Sequence, residues 1–169
     1  MKKITLLFAL IGMIAMQSCT VNETSKQPDN DTISEVFEVT RNFSTANSFS
    51  TLVSFGTPIY SSDMVLVYHL YDVVNGTDVW RLLPQTYYFT NGDELDYNFD
   101  FTRNDVNIFL DANFPLTTLS SAWTQNQTFR VVIIPGFFSN KVSNQVDFSD
   151  YNAVMKSLKI KEAAIQKNR

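Results

Sequence analysis

Residues 95–101 have the sequence LDYNFDF, in which apolar and polar side chains alternate without interruption. Successive side chains of a β-strand point to opposite faces of a sheet, so the four apolar residues share one face and the three polar residues share the other. This alternation is typical of an antiparallel strand with one face in the core and one face in water. The segment therefore predicts a half-buried strand, with the apolar residues through Phe101 on the core side.

The sequence on both sides of this segment continues as short strands separated by turns. Asn75-Gly76 and Asn91-Gly92 lie between apolar runs, and Asn-Gly accepts the positive φ angles of a type I′ turn, which predicts two hairpins. Residues 64–71 (MVLVYHLY) are apolar at most positions, as expected for a strand that is buried on both faces. Period-two patterns predict further strands at residues 36–43, 49–55, 79–83, 86–89, 106–110 and 129–134.

The last predicted element is a helix that follows residue 149. Ser149 is a candidate N-cap, and residues 151, 154, 155 and 158 are apolar at the spacing of one helical face. About eight short antiparallel strands with turn signals between them, followed by one helix, predict a mainly β fold. We expect an antiparallel β-sandwich with a C-terminal α-helix, and an open barrel is the alternative architecture.

The N-terminus has the pattern of an export signal at residues 1–18. Lys2 and Lys3 precede an apolar run over residues 4–16, which is shorter than the ~20 residues that a transmembrane helix requires. The sequence that precedes Cys19, Met-Gln-Ser, resembles the lipobox of bacterial lipoproteins, in which the cysteine becomes the lipidated first residue. An ordinary secreted protein with one free thiol is the alternative, and we favour lipidation of Cys19.

This interpretation divides the chain into three parts. Residues 1–18 are the signal peptide, residues 19–34 are the lipidated cysteine with a polar, flexible tether, and residues 35–169 are the β-sandwich domain with its helix. More than one acyl chain on the cysteine would hold the domain stably on a membrane. Residues 20–23 lack the dense acidic cluster that resembles a surface-export signal in Bacteroidota. We therefore expect an outer-membrane location, with the periplasmic side slightly favoured over the cell surface.

Composition excludes several classes of partner and cofactor. The formal net charge is −4 and acidic residues are scattered between the aromatic residues, which disfavours binding to nucleic acid. The chain has one histidine and one cysteine, and lipidation would consume the cysteine, so a zinc site with its usual ligands is excluded. We predict neither a metal nor a cofactor, and calcium binding by the turn at Asp93 and Glu94 is a subordinate possibility.

Two groups of polar residues are catalytic candidates. His69 could act as a general base, but no nucleophile or carboxylate lies at a characteristic spacing from it, so a structural, hydrogen-bonded histidine is the favoured interpretation. Asp93 and Glu94 lie at a predicted turn, where a solvated strand edge is the favoured interpretation. Convergence of these two carboxylates with His69 would instead indicate a hydrolase, which is the alternative function.

Four aromatic residues are candidates for binding carbohydrate, because sugars stack on exposed aromatic faces: Trp80, Tyr87, Tyr88 and Trp123. Adjacent side chains of a strand point to opposite faces, so one tyrosine of the Tyr87-Tyr88 pair is expected to face outward. Trp123 lies in a polar stretch, which is unusual for a core residue. Purely structural roles for these rings are the favoured alternative. Separately, Thr32 in Asp31-Thr32-Ile33 resembles the O-glycosylation sequon of Bacteroidota.

The lipobox and three further segments together resemble a group of small uncharacterised lipoproteins from flavobacteria and related Bacteroidota. The segments are residues 36–39 (VFEV), 77–86 (TDVWRLLPQT) and 151–156 (YNAVMK). Some members of that group carry a collagen-like stretch between the anchor and the domain, whereas this chain has only the polar tether. The resemblance brings no established activity and no catalytic residues. The anchor and the absence of a recognisable catalytic set favour an envelope lipoprotein whose β-sandwich is non-catalytic and binds a glycan or an envelope protein, or serves a structural role.

Overall fold

The computed structural model of the chain describes residues 34–136 and 146–167. The predicted signal peptide, Cys19 and the candidate glycosylation site Thr32 lie outside the described residues, as does nearly all of the tether. The described strands are β1 (Glu35–Arg41), β2 (Ser50–Ser54), β3 (Met64–Val74), β4 (Thr77–Leu82), β5 (Gln85–Tyr88), β6 (Glu94–Phe101), β7 (Asp105–Ala112), β8 (Gln127–Ile134) and β9 (Gln166–Lys167). The described α-helices are α1 (Ser121–Thr124) and α2 (Tyr151–Ser157), and single 3₁₀ turns occur at Thr45–Asn47, Leu116–Thr118 and Glu162–Ala164.

These strands form two sheets that face each other. The first sheet has the order β4-β3-β8-β1-β9, and the second sheet has the order β2-β7-β6-β5. Neighbouring strands are antiparallel except for the short parallel pairing of β1 with β9. The predicted β-sandwich with a C-terminal helix is therefore confirmed, and the alternative of a barrel is not observed.

The main core fills the space between the two sheets. It contains alternate residues of both sheets, such as Val67 of β3, Ile108 of β7 and Val131 of β8, all with an exposure of 0%. Burial of each such aliphatic side chain contributes about 1.5–3 kcal/mol to the free energy of folding. Phe101, which the alternation placed in the core, is instead 43% exposed at the last residue of β6, next to the turn to β7.

A second core lies on the outer face of the first sheet, where α2 covers it. The stripe predicted for the helix is confirmed, because Val154 and Met155 pack with Leu66 of β3 and Val132 of β8. Strand β8 and residues 65–69 of β3 are consequently buried on both faces, as the apolar run at residues 64–71 predicted, whereas Tyr71 at the end of that run is exposed.

The helix begins one residue later than the sequence suggested. Asp150, and not Ser149, is the N-cap, and its carboxylate accepts a hydrogen bond from the backbone N–H of Ala153 at 3.0 Å. The Ser149 hydroxyl instead donates to the carboxylate of Asp147 at 2.7 Å. A serine and an aspartate at adjacent positions both satisfy the N-cap preference, so local sequence alone does not choose between them.

Both Asn-Gly sites join antiparallel strands, but only one has the predicted turn geometry. Asn75 and Gly76 have φ values of 52° and 76°, as a type I′ turn between β3 and β4 requires. Between β5 and β6, Gly92 has a φ of 86° while Asn91 is not left-handed. The N–H of Gly92 donates to the carbonyl of Phe89 at 3.1 Å, so the second connection is a longer loop in which the turn starts earlier.

Candidate functional site

A cleft of about 370 Å³ opens at the end of the sandwich where α1 and the start of β8 meet β3 and β5. We call it the aromatic cleft. Its lining includes three aromatic rings, one imidazole and two amides, which belong to His69, Tyr71, Tyr87, Trp123, Asn126 and Gln127. Residues 70, 122 and 128 also line it. A mostly apolar lining with a few polar groups is typical of small-molecule binding sites.

His69 forms the floor of the aromatic cleft and is only 4% exposed. The side-chain amide of Gln127 donates to the carbonyls of Ala122 and Gln125 at 3.0 and 2.7 Å, which turns its oxygen toward the histidine. That oxygen accepts from Nε2–H of His69 at 2.9 Å, and Nδ1 accepts from the Tyr87 hydroxyl at 3.1 Å. Both ring nitrogens therefore have partners when the imidazole is neutral.

Burial sets the protonation of this group at neutral pH. Desolvation lowers the pKa of His69 from 6.5 to about 4, against a smaller opposing effect of the hydrogen bond to Gln127, and the nearby charge of Arg81 lowers it further. Desolvation raises the pKa of Tyr87 to about 12. The imidazole and the phenol are both uncharged near pH 7, because taking a charge out of water is unfavourable.

A β-bulge shapes the rim of the cleft. Leu70 pairs with Trp80 and Asp72 pairs with Val79, which leaves Tyr71 as the extra residue of β3. The Tyr71 ring stacks beside the Tyr87 ring with centroids 6.1 Å apart, and the guanidinium of Arg81 lies 3.3 Å from the centroid of the Tyr71 ring. Bulges frequently redirect side chains at functional sites in this way.

Trp123 is held on the one-turn helix α1 at the opposite side of the cleft. Its ring lies 4.9 Å from the Tyr87 ring and 5.4 Å from the Phe89 ring, measured between centroids. The hydroxyl of Tyr97, a core residue, donates to the Trp123 carbonyl, which ties the helix to the sandwich interior. Trp123 also lines a neighbouring cleft of about 240 Å³, whose other residues include Phe89 and Asp93.

The structure brings together two of the four aromatic candidates. Tyr87 and Trp123 line the aromatic cleft, while Tyr88 is 76% exposed on the outer face of the second sheet, opposite Glu94. Trp80 lies on the other side of the first sheet, against Tyr151, with ring centroids 5.6 Å apart. As expected for adjacent residues of a strand, one tyrosine of the Tyr87-Tyr88 pair faces inward and the other faces outward.

His69 and the two acidic candidates are not brought together. Glu94 is exposed, and Asp93 is half-buried in the neighbouring cleft, where its carboxylate accepts from the Asn91 side chain at 2.6 Å. Both hydrogen-bonding nitrogens of His69 are directed to Tyr87 and Gln127. A base oriented by a carboxylate, as hydrolytic triads require, is not formed by these three residues.

Nothing in the sequence indicated a buried cation on the outer face of the first sheet. Arg130 of β8 is 1% exposed, and its Nε donates to the Glu38 carboxylate at 3.0 Å. Its guanidinium also pairs with the Glu162 carboxylate and lies 4.1 Å from the centroid of the Trp80 ring. Burial alone would lower the pKa of Arg130, but its hydrogen bonds with these carboxylates and with Tyr151 raise it overall, so the group stays charged.

Two features are absent from the described residues 34–136 and 146–167. These residues contain no cluster of three or more histidine, cysteine, aspartate or glutamate side chains that could hold a metal ion. No helix in the same residues has the length and apolar character needed to cross a membrane. Comparison of the chain with protein-family models, with curated proteins and with solved structures gives no match.

Proposed function

We propose that this protein is a membrane-anchored envelope lipoprotein whose β-sandwich binds carbohydrate, without catalysis, in the aromatic cleft. The observation that carries the proposal is the convergence of Tyr71, Tyr87 and Trp123 around one opening at the end of the sandwich. These residues come from three separate elements, β3, β5 and α1, so the fold and not the local sequence assembles them.

The chemistry of the lining suits a sugar. Pyranose rings present apolar C–H faces that pack on aromatic side chains, and their hydroxyls need hydrogen-bond partners at the rim. Among the residues that the structure describes, the side-chain amide of Asn126 makes no hydrogen bond, although it lines the cleft. An amide supplies both a donor and an acceptor to a hydroxyl group.

The state of His69 supports binding in preference to catalysis. Its imidazole is neutral near pH 7, and both nitrogens are engaged by side chains of the protein. A general base needs a pKa near the working pH and an unobstructed path to the substrate proton. The histidine therefore serves the cleft as a rigid, hydrogen-bonded floor.

The anchor and the location are part of the same proposal. The lipobox-like sequence before Cys19 supports lipidation, and the polar residues 20–34 would hold the domain away from the membrane. We place the protein on the outer membrane, with the periplasmic side slightly favoured because residues 20–23 lack the dense acidic cluster of a surface-export signal. Cys19→Ser should move it from the membrane fraction to the soluble fraction, and mass spectrometry should find acyl chains only on the wild-type cysteine.

Carbohydrate binding is tested with Trp123 as the reporter. In a Trp80→Phe background Trp123 is the only tryptophan, so its fluorescence reports the cleft during titration with peptidoglycan fragments, lipopolysaccharide glycans and common polysaccharides. We expect at least one glycan to change the emission, and we expect Tyr71→Ala to weaken that response at least tenfold.

Tyr88→Ala is the matched control for Tyr71→Ala. Both tyrosines are exposed, Tyr88 at 76% and Tyr71 at 44%, but only Tyr71 lines the aromatic cleft. Equal effects of the two substitutions would contradict binding at this cleft. An unchanged emission and melting temperature across the whole panel would contradict carbohydrate binding itself.

A further inference from the structure

Arg81 of β4 places a positive charge next to the aromatic cleft, against the ring of Tyr71 in its lining. It is the cross-strand partner of His69, so both side chains lie on the face of the first sheet that turns toward the second sheet. Its guanidinium lies 3.3 Å from the centroid of the Tyr71 ring, within the usual range of a cation–π contact.

No described carboxylate neutralises this charge. Arg130 pairs with Glu38, Asp78 and Glu162, whereas Arg81 forms no ion pair or hydrogen bond with the side chains of residues 34–136 and 146–167. The lining of the aromatic cleft contains no acidic residue. A guanidinium stacked on a ring through its face keeps its N–H donors, which point outward in the plane of the group.

The charge of Arg81 acts on the groups inside the cleft. Burial is the main cause of the raised pKa of Tyr87 and the lowered pKa of His69, and Arg81 lowers both values. Tyr97 of β6 and Phe129 of β8, which also pack against the imidazole, are uncharged. The side chains that surround His69 therefore include one cation and no anion.

We propose that the aromatic cleft selects saccharides that carry an anionic group, a carboxylate or a sulfate, which Arg81 binds while the sugar ring packs on the aromatic rim. The proposal rests on the carbohydrate binding proposed above and specifies the class of ligand. A guanidinium matches the two oxygens of a carboxylate or sulfate with two parallel hydrogen bonds, and such charged bonds are stronger than neutral ones. A neutral sugar would leave the cation without a partner.

Matched pairs of ligands test this selectivity. One pair is the trisaccharide of galacturonic acid and its methyl ester, and the second is a sulfated galactose disaccharide and its unsulfated form. With Trp123 fluorescence as the readout, we expect a charged member of at least one pair to bind at least tenfold more tightly than its neutral counterpart. Salt should reduce this difference, because the site opens to water.

Three variants separate the contribution of Arg81 from general charge effects. Arg81→Gln should abolish the difference within a pair, and Arg81→Lys should retain part of it, since an ammonium keeps the charge but loses the fork geometry. Lys156→Gln removes the same charge from the exposed side of α2 and should leave the difference unchanged.

Each outcome of this experiment has a distinct meaning. Two outcomes would overturn the anion selectivity and leave carbohydrate binding intact. One is equal affinity for the charged and neutral members of each pair. The other is tight binding of a neutral glycan from the wider panel with no response to the charged ligands. No response to any pair or to any glycan of the panel would overturn carbohydrate binding, and the selectivity with it. Retention of the preference in Arg81→Gln would refute the assignment to Arg81.

Discussion

The buried, neutral His69 makes folding stability depend on pH in a way that can be calculated. Its pKa is about 4 in the folded protein and 6.5 when exposed. Between these values the unfolded chain binds a proton that the folded chain does not, so lowering the pH favours unfolding. The stabilisation is complete above pH 6.5 and is lost progressively as the pH falls toward 4.

The magnitude follows from the difference between the two pKa values. A gap of 6.5 − 4 = 2.5 units corresponds to about 3 kcal/mol in total, at about 1.4 kcal/mol per unit. Roughly 2 kcal/mol of this is lost between pH 7.5 and pH 5, before most carboxylates titrate. That loss is large for a domain of this size, because typical domains are stable by only about 5–15 kcal/mol.

The assay is urea denaturation of the purified protein at half-unit steps from pH 7.5 to pH 5, expressed without a polyhistidine tag. His69 is the only histidine of the chain, so the slope in this range belongs to it. His69→Gln should flatten the slope. If this variant does not fold, NMR titration of the imidazole C–H resonances measures the pKa in the wild-type protein.

Two results would refute the reasoning. One is an equal pH slope in the wild type and in His69→Gln, which would show that other groups cause the dependence. The other is an imidazole that titrates near 6.5 in the folded protein, which would mean that water reaches the ring and that the floor of the aromatic cleft is not dry.

Three stability predictions concern other parts of the sandwich, each measured by urea or thermal denaturation at pH 7. Arg130→Met should cost about 3 kcal/mol because it leaves the half-buried Glu38 carboxylate, 16% exposed, without its cation, whereas Glu162→Gln should cost less than about 1 kcal/mol because that carboxylate is 62% exposed. Gly136→Ala should lower the melting temperature more than Gly76→Ala, since a Cβ at 136 would lie 2.5 Å from a backbone oxygen, while position 76 has free space and only an unfavourable φ of 76°. Met155→Ala should cost about 2–5 kcal/mol, because this side chain of α2 is only 7% exposed and packs against the first sheet.

Most of the fold could be predicted because its signals are local. The alternation at residues 95–101, the doubly apolar run at residues 64–71 and the helical stripe after residue 150 each follow from burial of one or two faces. All three match the structure apart from Phe101 and Tyr71, which are exposed. The order of strands within the sheets had no such signal. Strand β8 pairs with β1 and β3, which are far from it in sequence, and side-chain periodicity does not encode such partners.

The aromatic cleft could be predicted only in part, because its residues depend on these distant pairings. Tyr87 and Trp123 were candidates on residue type and context. Gln127 was not, since a polar residue in a connecting segment gives no indication that it will orient a buried histidine. Its role depends on the pairing of β8 with β3, whose last pair is His69 with Phe129 and which leaves Gln127 two residues beyond that pair.

Arg81, and not the candidate Trp80, lies on the face of the sheet that carries His69, and this has a specific structural cause. A regular hairpin around the Asn75-Gly76 turn pairs Val74 with Thr77 and would pair Tyr71 with Trp80. Trp80 would then lie on the face of His69, and Arg81 would lie on the opposite face. The bulge at Tyr71 shifts the pairing by one residue, and a shift of one residue transfers each side chain to the other face.

Strand β8 provides an energetic reason for the shifted pairing. On the outer face, Arg130 has the Trp80 ring 4.1 Å away in the bulged register, where a regular register would place a second arginine on the same face. A cation–π contact contributes about 0.5–2 kcal/mol, and the regular register would lose the contact between Arg130 and Trp80. The buried Arg130 thus favours the register that turns Trp80 outward and Arg81 inward. The position of Arg81 beside the cleft is therefore coupled to a charge on the opposite side of the sheet.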